Sequence, residues 1–458
     1  MTDTPKPLKE WALYVYFAAD VPEAQARAWA IKNLVQMAYV GSSDHVYVTA
    51  QMNLPHSKTR RYILPEVPSA SAPLAISPTV SGTSLNLRSI ADFLKWSANA
   101  CPAQKTMIVL CGHGYGIDDF MPPGLHSHTD RQGVQALEMV APRIRPISGT
   151  DFRAQLSGLS LAPLSPEAER IVTLLPDDSL GTNPTNAQVA GSIRAASRML
   201  PETKKPAILG LASCNMAMAE AWSELADCAE IGIASQTALP YRDWPLGPIL
   251  KGLVANPPND AKAAAAIVQK GFIASYAGDR DDYLAISTLE LSLMGELQQA
   301  IKYLAGVLTK AVSKPGGVVN ILEARNYSPI YDPDGFLDLG CFCRFLKITL
   351  RDPEVDKACD QTIKDLEKFV VDWDYSPKGS KIKLMQSNGL SIWFPSWIQF
   401  TNIKMMERER SIAYLRRGYP ESRFAVSTGW DKFLVAMHDA AAELRRQHAL
   451  VVPLTNAH

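Results

Sequence analysis

The sequence predicts an α/β chain with a mainly parallel sheet flanked by helices, followed by a mostly helical C-terminal region. Three observations carry this. Short, wholly apolar runs of strand length recur along the first half, as buried parallel strands require. Helical stripes separate them, so each strand-to-strand step is a crossover. After Asn259 the pattern turns to long helical periods at 260–276, 290–312 and 355–372.

The elements follow in order. Trp11–Ala18 (WALYVYFA) is a buried strand. After Asp20, Pro22 suits a first helical turn, and Ala26, Trp29, Ala30, Leu34, Met37 and Ala38 form the apolar stripe of a helix running to about Tyr39. Gly41-Ser42-Ser43-Asp44 ends it. His45–Met52 is a second strand, and Lys58–Leu64 one arm of a hairpin. Residues 68–85 read as loop. Leu87–Ala100 is a helix with Ile90, Phe93, Leu94 and Trp96 inward, and Met107–Cys111 a third buried strand, ending in Gly112-His113-Gly114.

Residues 117–168 show no period and are rich in Pro, Gly and Ser. So long a loop inside a domain is usually functional or mobile. Ile171–Leu175 is strand-like, Asn186–Leu200 a helix capped by Asn183 or Thr185, and Ala207–Ala212 (AILGLA) a buried strand. Ser213-Cys214-Asn215 follows at once, then a helix over Met216–Ala226 and a strand over Ile231–Ala234. Late in the chain come a strand-like Leu390–Phe394 and a helix over Trp430–Leu444. The expected division is an α/β unit over 8–255, with an insert at 117–170, and a mostly helical region over 256–445 packed on it.

Composition narrows the function. The 458 residues are 47% hydrophobic and 20% charged, as in ordinary globular proteins. Lys plus Arg and Asp plus Glu both number 46. This balance argues against nucleic acid or an anionic membrane as the main partner, since both call for a positive excess. The N-terminus has charges and prolines where a signal peptide needs an apolar stretch. No run approaches the roughly 20 apolar residues of a membrane span. Seven cysteines, an odd number, make a disulfide framework a poor reading and point to a reducing, cytoplasmic setting.

Two residues stand where α/β sheets build sites, just past the carboxyl ends of parallel strands. They are His113, between two glycines, and Cys214. A thiol becomes a good nucleophile only as the thiolate, and a nearby imidazole can take its proton. Bare glycine backbone beside His113 permits close approach of a substrate and can offer an N–H to a developing oxyanion. The expected helix after Cys214 would add a dipole that favours the thiolate. By position alone, Cys214 is equally well a buried core thiol, and Gly-His-Gly a turn. Cys341-Phe342-Cys343 has metal-like spacing, but no second pair or His accompanies it, so no metal is expected there.

The motifs around these residues resemble the clostripain-like cysteine peptidases, enzymes of caspase-like fold. They are Ala18-Ala19-Asp20; Ile90–Trp96 with Cys101–Lys105 and His113-Gly114-Tyr115-Gly116; Leu175–Ser179; Ser213–Met216; Ala234-Ser235, Pro240 and Trp244-Pro245; Asn388–Pro395; and Thr428–Asp431. The match spans about 10–437.

The resemblance implies a Cys214–His113 dyad that hydrolyses peptide bonds through an acyl-enzyme, with the Gly114 and Cys214 backbone N–H groups holding the oxyanion. It implies a substrate pocket around Ala212, Asp177, Arg242, Asp243 and Trp244. The family usually has Asp two residues before the cysteine to bind a substrate Arg or Lys; here that position is Ala212. A second pocket Asp usually stands where Arg242 is, with Asp243 adjacent. The family habit keeps a basic preference slightly ahead, with Asp243 as the carboxylate. The other reading is that Arg242 faces the pocket and selects a neutral or acidic side chain.

Family members often cut themselves in the long loop. Cleavage within 120–170 is therefore expected, at Arg143, Arg145, Arg153 or Arg170 if specificity is basic, by the protein itself or by an activating protease. Some relatives use calcium, but no loop here has calcium-ligand spacing. The expected partners are protein or peptide substrates, and the expected role is a step in a signalling or defence cascade. A non-catalytic scaffold and a transpeptidase with the same dyad are the alternatives.

Overall fold

A computed structural model describes residues 6–20, 24–54, 58–66, 78–82, 89–114, 116–117, 185–198, 205–240, 244–277, 284–331, 335–375, 387–395 and 414–451. Strands β1 (Lys9–Ala18), β2 (Val46–Asn53), β5 (Ala103–Cys111), β6 (Ile208–Ala212) and β7 (Ile231–Ala234) lie parallel as the centre of a sheet with nine strands among the described residues. The spatial order is β10 (Val370–Tyr375), β8 (Ala285–Glu290), β7, β6, β5, β1, β2, β3 (Thr59–Ile63), β4 (Val80–Gly82). At one edge, β3 (Thr59–Ile63) and β4 (Val80–Gly82) add antiparallel arms. At the other, β8 (Ala285–Glu290) runs antiparallel to β7, and β10 (Val370–Tyr375) antiparallel to β8.

The apolar runs of the central strands follow from burial of both faces. Alternate residues of β1 go to opposite sides: Trp11, Leu13 and Val15 to one core, and Ala12, Tyr14 and Tyr16 to the other. The first core is closed by α1 (Ala24–Val40), α5 (Leu246–Ala255) and α6 (Ala261–Tyr276), through Leu34, Leu250 and Phe272. The second is closed by α2 (Ile90–Ala100), α3 (Asn186–Ser197) and α4 (Ala219–Leu225), through Phe93, Ile193 and Trp222. Onto this second face pack α7 (Met294–Val312), α8 (Gly317–Tyr327), α9 (Leu339–Leu350), α10 (Pro353–Phe369), α11 (Arg423–Thr428) and α12 (Trp430–Val451). In α7, Leu297, Ile301, Leu304 and Leu308 recur on one helical stripe and are buried in that same core. A two-stranded ribbon of β9 (Phe336–Asp338) and β11 (Ser391–Trp393) lies among these helices.

The fold is the expected α/β sheet with a mostly helical C-terminal region, and three local expectations change. The sheet does not end near 255. AISTLE at β8 and the β-branched and aromatic run at β10 extend it, where the periodicity predicts no strand and helices at 290–312 and 355–372. Tertiary pairing decides β8: all but its last residue are buried, and it is hydrogen-bonded on both sides. In β10 the alternation of Trp373 and Tyr375 with Asp372 and Asp374 suits an edge strand. The helix expected from Met216 begins only at Ala219. The expected strand Ile171–Leu175 and nearly all of the 117–170 insert lie outside the described residues.

Candidate active site

The site begins with strand register. Cys111 at the end of β5 pairs with Ala212 at the end of β6. Gly112 N–H donates to the Ala212 carbonyl at 3.2 Å, carrying the pairing one residue further. His113 and Cys214 each follow two residues after that last pair, on the same edge of the sheet. Neighbouring strands are about 4.8 Å apart. The register therefore puts the two residues at the same level of adjacent strand ends. Both residues are half-buried, so a substrate can reach them.

The turn after β6 is held to the chain beyond β7. Asn215 N–H donates to the Thr237 carbonyl (3.1 Å), and Ala217 N–H to the Ser235 carbonyl (2.8 Å). Ser235 Oγ donates to the same Thr237 carbonyl (3.0 Å) and accepts from Thr237 N–H (3.1 Å). The Ala217 carbonyl, which a helix from Met216 would turn to Ala221 N–H, accepts from Ser391 N–H at 2.8 Å. The helix dipole fades within its first turn, so with α4 starting at Ala219 it is not what favours a thiolate at Cys214. A nearer group serves: Leu239 N–H donates to Cys214 Sγ at 3.1 Å, and an amide hydrogen aimed at sulfur stabilises the charged form. The Leu239 carbonyl lies 3.7 Å from the same sulfur, as acceptor for the neutral thiol. Asn215 has φ of 56°, the left-handed conformation that Asn adopts more readily than most residues.

The histidine loop is pressed onto this turn. A methyl group on Gly114 would lie 2.6 Å from the Cys214 carbonyl oxygen and 2.7 Å from Ser213 Cβ, so only glycine fits. Among the described residues, no acceptor takes the Gly114 N–H. Gly116 turns the chain at φ of 65°, against Met218 and the Phe336 ring. Asn186 Nδ2 donates to its carbonyl at 3.2 Å, and the Tyr414 hydroxyl donates to Ile117 O at 3.3 Å.

Beside Cys214, the described floor is apolar. Ala212 is fully buried in one cluster with Cys111, Leu239 and Trp244, and Cys214 packs against that cluster. The Trp244 ring covers Gly210, where an added methyl would come within 2.9 Å. The structure thus sets His113 and Cys214 at neighbouring strand ends, packs Gly114 on the cysteine turn, and places Ala212 and Trp244 in the apolar cluster against which Cys214 packs. Asp177, Arg242, Asp243, Arg143, Arg145, Arg153 and Arg170 lie outside the described residues. The Leu239 amide and the Ser235–Thr237 brace are absent from the sequence reading. Backbone donors leave no mark in residue type, and only Pro240 hints at a fixed turn there. Among the described residues, no group of three or more His, Cys, Asp or Glu could hold a metal ion.

No protein-family model and no curated protein sequence matches the chain. Solved structures do. A secreted C11 cysteine protease from Bacteroides thetaiotaomicron matches with TM-score 0.59 at 14% identity, over 92% of this chain and 100% of that one. A second structure of a secreted C11 protease from the same organism, in complex with an irreversible peptide inhibitor, matches at 0.57 and 14%, over 92% and 99%. An inactive zymogen C11 protease from Parabacteroides distasonis matches at 0.56 and 13%, over 93% and 99%. At such identities the likeness is one of fold. The chain has the fold of C11, clostripain-family proteases, as the sequence resemblance implies.

Proposed function

We propose that this protein is a cysteine endopeptidase working through a Cys214–His113 dyad. The observation that carries the reading is the β5–β6 register, which sets the two residues at one level of the sheet edge with Gly114 packed on the cysteine turn. In the proposed reaction His113 takes the Cys214 proton and the sulfur attacks the scissile carbonyl carbon. The oxyanion rests on the Gly114 and Cys214 N–H groups, each such donor typically worth about 10²–10³ in rate. Collapse breaks the C–N bond, and His113 gives its proton to the leaving amine. Water then attacks the thioester, with His113 as base, and releases the acid and the free thiol.

The apolar floor at Ala212 favours an uncharged side chain next to the scissile bond, since a buried Arg or Lys needs a carboxylate partner. A basic preference would rest on Asp243. A peptide library separates the two: cleavage only after Arg or Lys would refute the uncharged preference.

We also propose a zymogen cut within 120–170, at Arg143, Arg145, Arg153 or Arg170 in the basic case. One structure of similar fold is described as an inactive zymogen. Incubating wild type beside Cys214→Ala tests self-cleavage, and equal fragments in both would exclude it. A transpeptidase would show the acyl group passing to added amines in preference to water.

Peptide substrates suit this reading, and one structure of the same fold holds a peptide inhibitor. Among the described residues, no helix is long and apolar enough to cross a membrane. The cytoplasmic setting and the role in a proteolytic cascade belong to the proposal. The seven unbridged cysteines fit the former, although the first similar structure is described as secreted.

A further inference from the structure

The C-terminal ribbon touches three described segments of the proposed site, at Ala217–Met218, Gln236 and Gly116. Ser391 N–H on β11 donates to the Ala217 carbonyl at 2.8 Å, and Ser391 also forms a parallel bridge with Met218, so β11 continues as a partner of the cysteine turn. Gln236 Nε2, beyond β7, donates to Ser391 Oγ and to Asp338 Oδ2, both at 3.1 Å. Phe336 of β9 packs against Gly116 of the histidine loop.

One charged side chain fastens this ribbon from the peptidase side. Glu220 stands in the first turn of α4, is 1% exposed, and accepts from Trp393 N–H and from the Tyr419 hydroxyl, each at 2.9 Å, both on Oε1. Among the described residues, its Oε2 has no hydrogen-bond partner. Burying a carboxyl group with one oxygen unmatched is costly. A stabilising core would place an apolar residue there, so the group calls for another explanation.

We propose that Glu220 is a positioning residue, whose carboxyl ties the β9–β11 ribbon to the turn that carries Cys214, so that the reactivity of Cys214 depends on the ribbon being docked. The inference rests on the peptidase reading. The path is short: Glu220 holds residue 393, and two residues away Ser391 holds 217–218, three to four residues from the thiol. Burial raises the Glu220 pKa from the usual 4.5 to about 7, against the Trp393 N–H, its own backbone N–H and the Tyr419 hydroxyl, which lower it, so the clamp changes charge near neutrality. The groups facing it are Tyr419, whose own pKa burial and Glu220 raise, and, within electrostatic reach of Tyr419, Tyr414 and Asp431. One turn along α4, Glu224 accepts from Arg423 N–H at 2.8 Å and makes a second tie to the same region.

The test uses the full chain with two readouts. One is the rate of Cys214 alkylation by iodoacetamide from pH 5.5 to 8.5, with the site identified by mass spectrometry. The other is hydrogen exchange of the amides at 217 and 391–393. In Glu220→Ala, exchange at those amides should rise at least ten-fold and alkylation at pH 7 should fall at least ten-fold. Glu220→Gln keeps the carbonyl acceptor for both donors. It should stay within about three-fold of wild type in rate while losing the part of any inflection near pH 7 that Glu220 contributes, seen as a difference from the wild-type profile. A Glu220→Ala protein with wild-type alkylation and pH profile, or with unchanged exchange, overturns the positioning role alone. A wild-type Cys214 no more reactive than a peptide cysteine is a failure of the peptidase reading, and the positioning role falls with it.

Discussion

At the scale of single residues, Gly114 and Asn215 carry two strict constraints on the cysteine turn. The Cβ of an alanine at 114 would sit 2.6 Å from backbone oxygen, which cannot swing aside as a side-chain tip can. Gly114→Ala should therefore cost about 1–3 kcal/mol in denaturant melts and should slow any Cys214 chemistry by parting the two loops. At 215 the left-handed backbone makes a β-branched residue strained. Asn215→Val should lose about 1–2 kcal/mol while Asn215→Gly loses less, and equal losses would show that the side chain, not the φ angle, matters. Both constraints were hidden in the sequence for one reason. His113 and Cys214 are visible as chemistry-bearing residues at strand ends, but contacts to Cys214 O, Thr237 O and Leu239 N–H are made by backbone and belong to no residue type.

Among the elements, legibility follows burial. β1, β5 and β6 are buried on both faces, and their unbroken apolar runs announce them. β8 escapes notice because AISTLE is short and mixes Ser and Thr with apolar residues, so only its two neighbours make it a strand. β10 follows α10 directly, with Val370 both helix cap and first strand residue, so no glycine or proline marks the change.

The start of α3 is legible and has consequences for the site. Thr185 and Gln188 form a reciprocal capping box, and the next residue, Asn186, holds the Gly116 carbonyl of the histidine loop. Thr185→Ala should cost about 1 kcal/mol and raise hydrogen exchange in the first turn of α3. A loss near zero would mean that packing alone fixes this helix start.

For the whole molecule, the C-terminal half is part of the site's frame. Two of its strands complete the sheet, and its ribbon braces the loops that bear Cys214 and His113. Glu220 at that junction also makes global stability depend on pH. A carboxyl with a higher pKa folded than unfolded binds its proton more tightly in the fold. Stability from this group is therefore full below pH 4.5, falls between 4.5 and about 7, and levels off above. The span amounts to roughly 3 kcal/mol. Melting temperatures of wild type should decline across that range more steeply than those of Glu220→Gln, and parallel curves would remove Glu220 as the cause.

The most direct test of the account is a peptide-library cleavage profile of wild type beside Cys214→Ala and His113→Ala, before and after limited proteolysis within 120–170. The dyad account predicts cleavage by wild type and loss of about 10⁴-fold or more in each variant. Wild type that cuts nothing even after the loop is opened, or a Cys214→Ala protein that cuts as well as wild type, would contradict it.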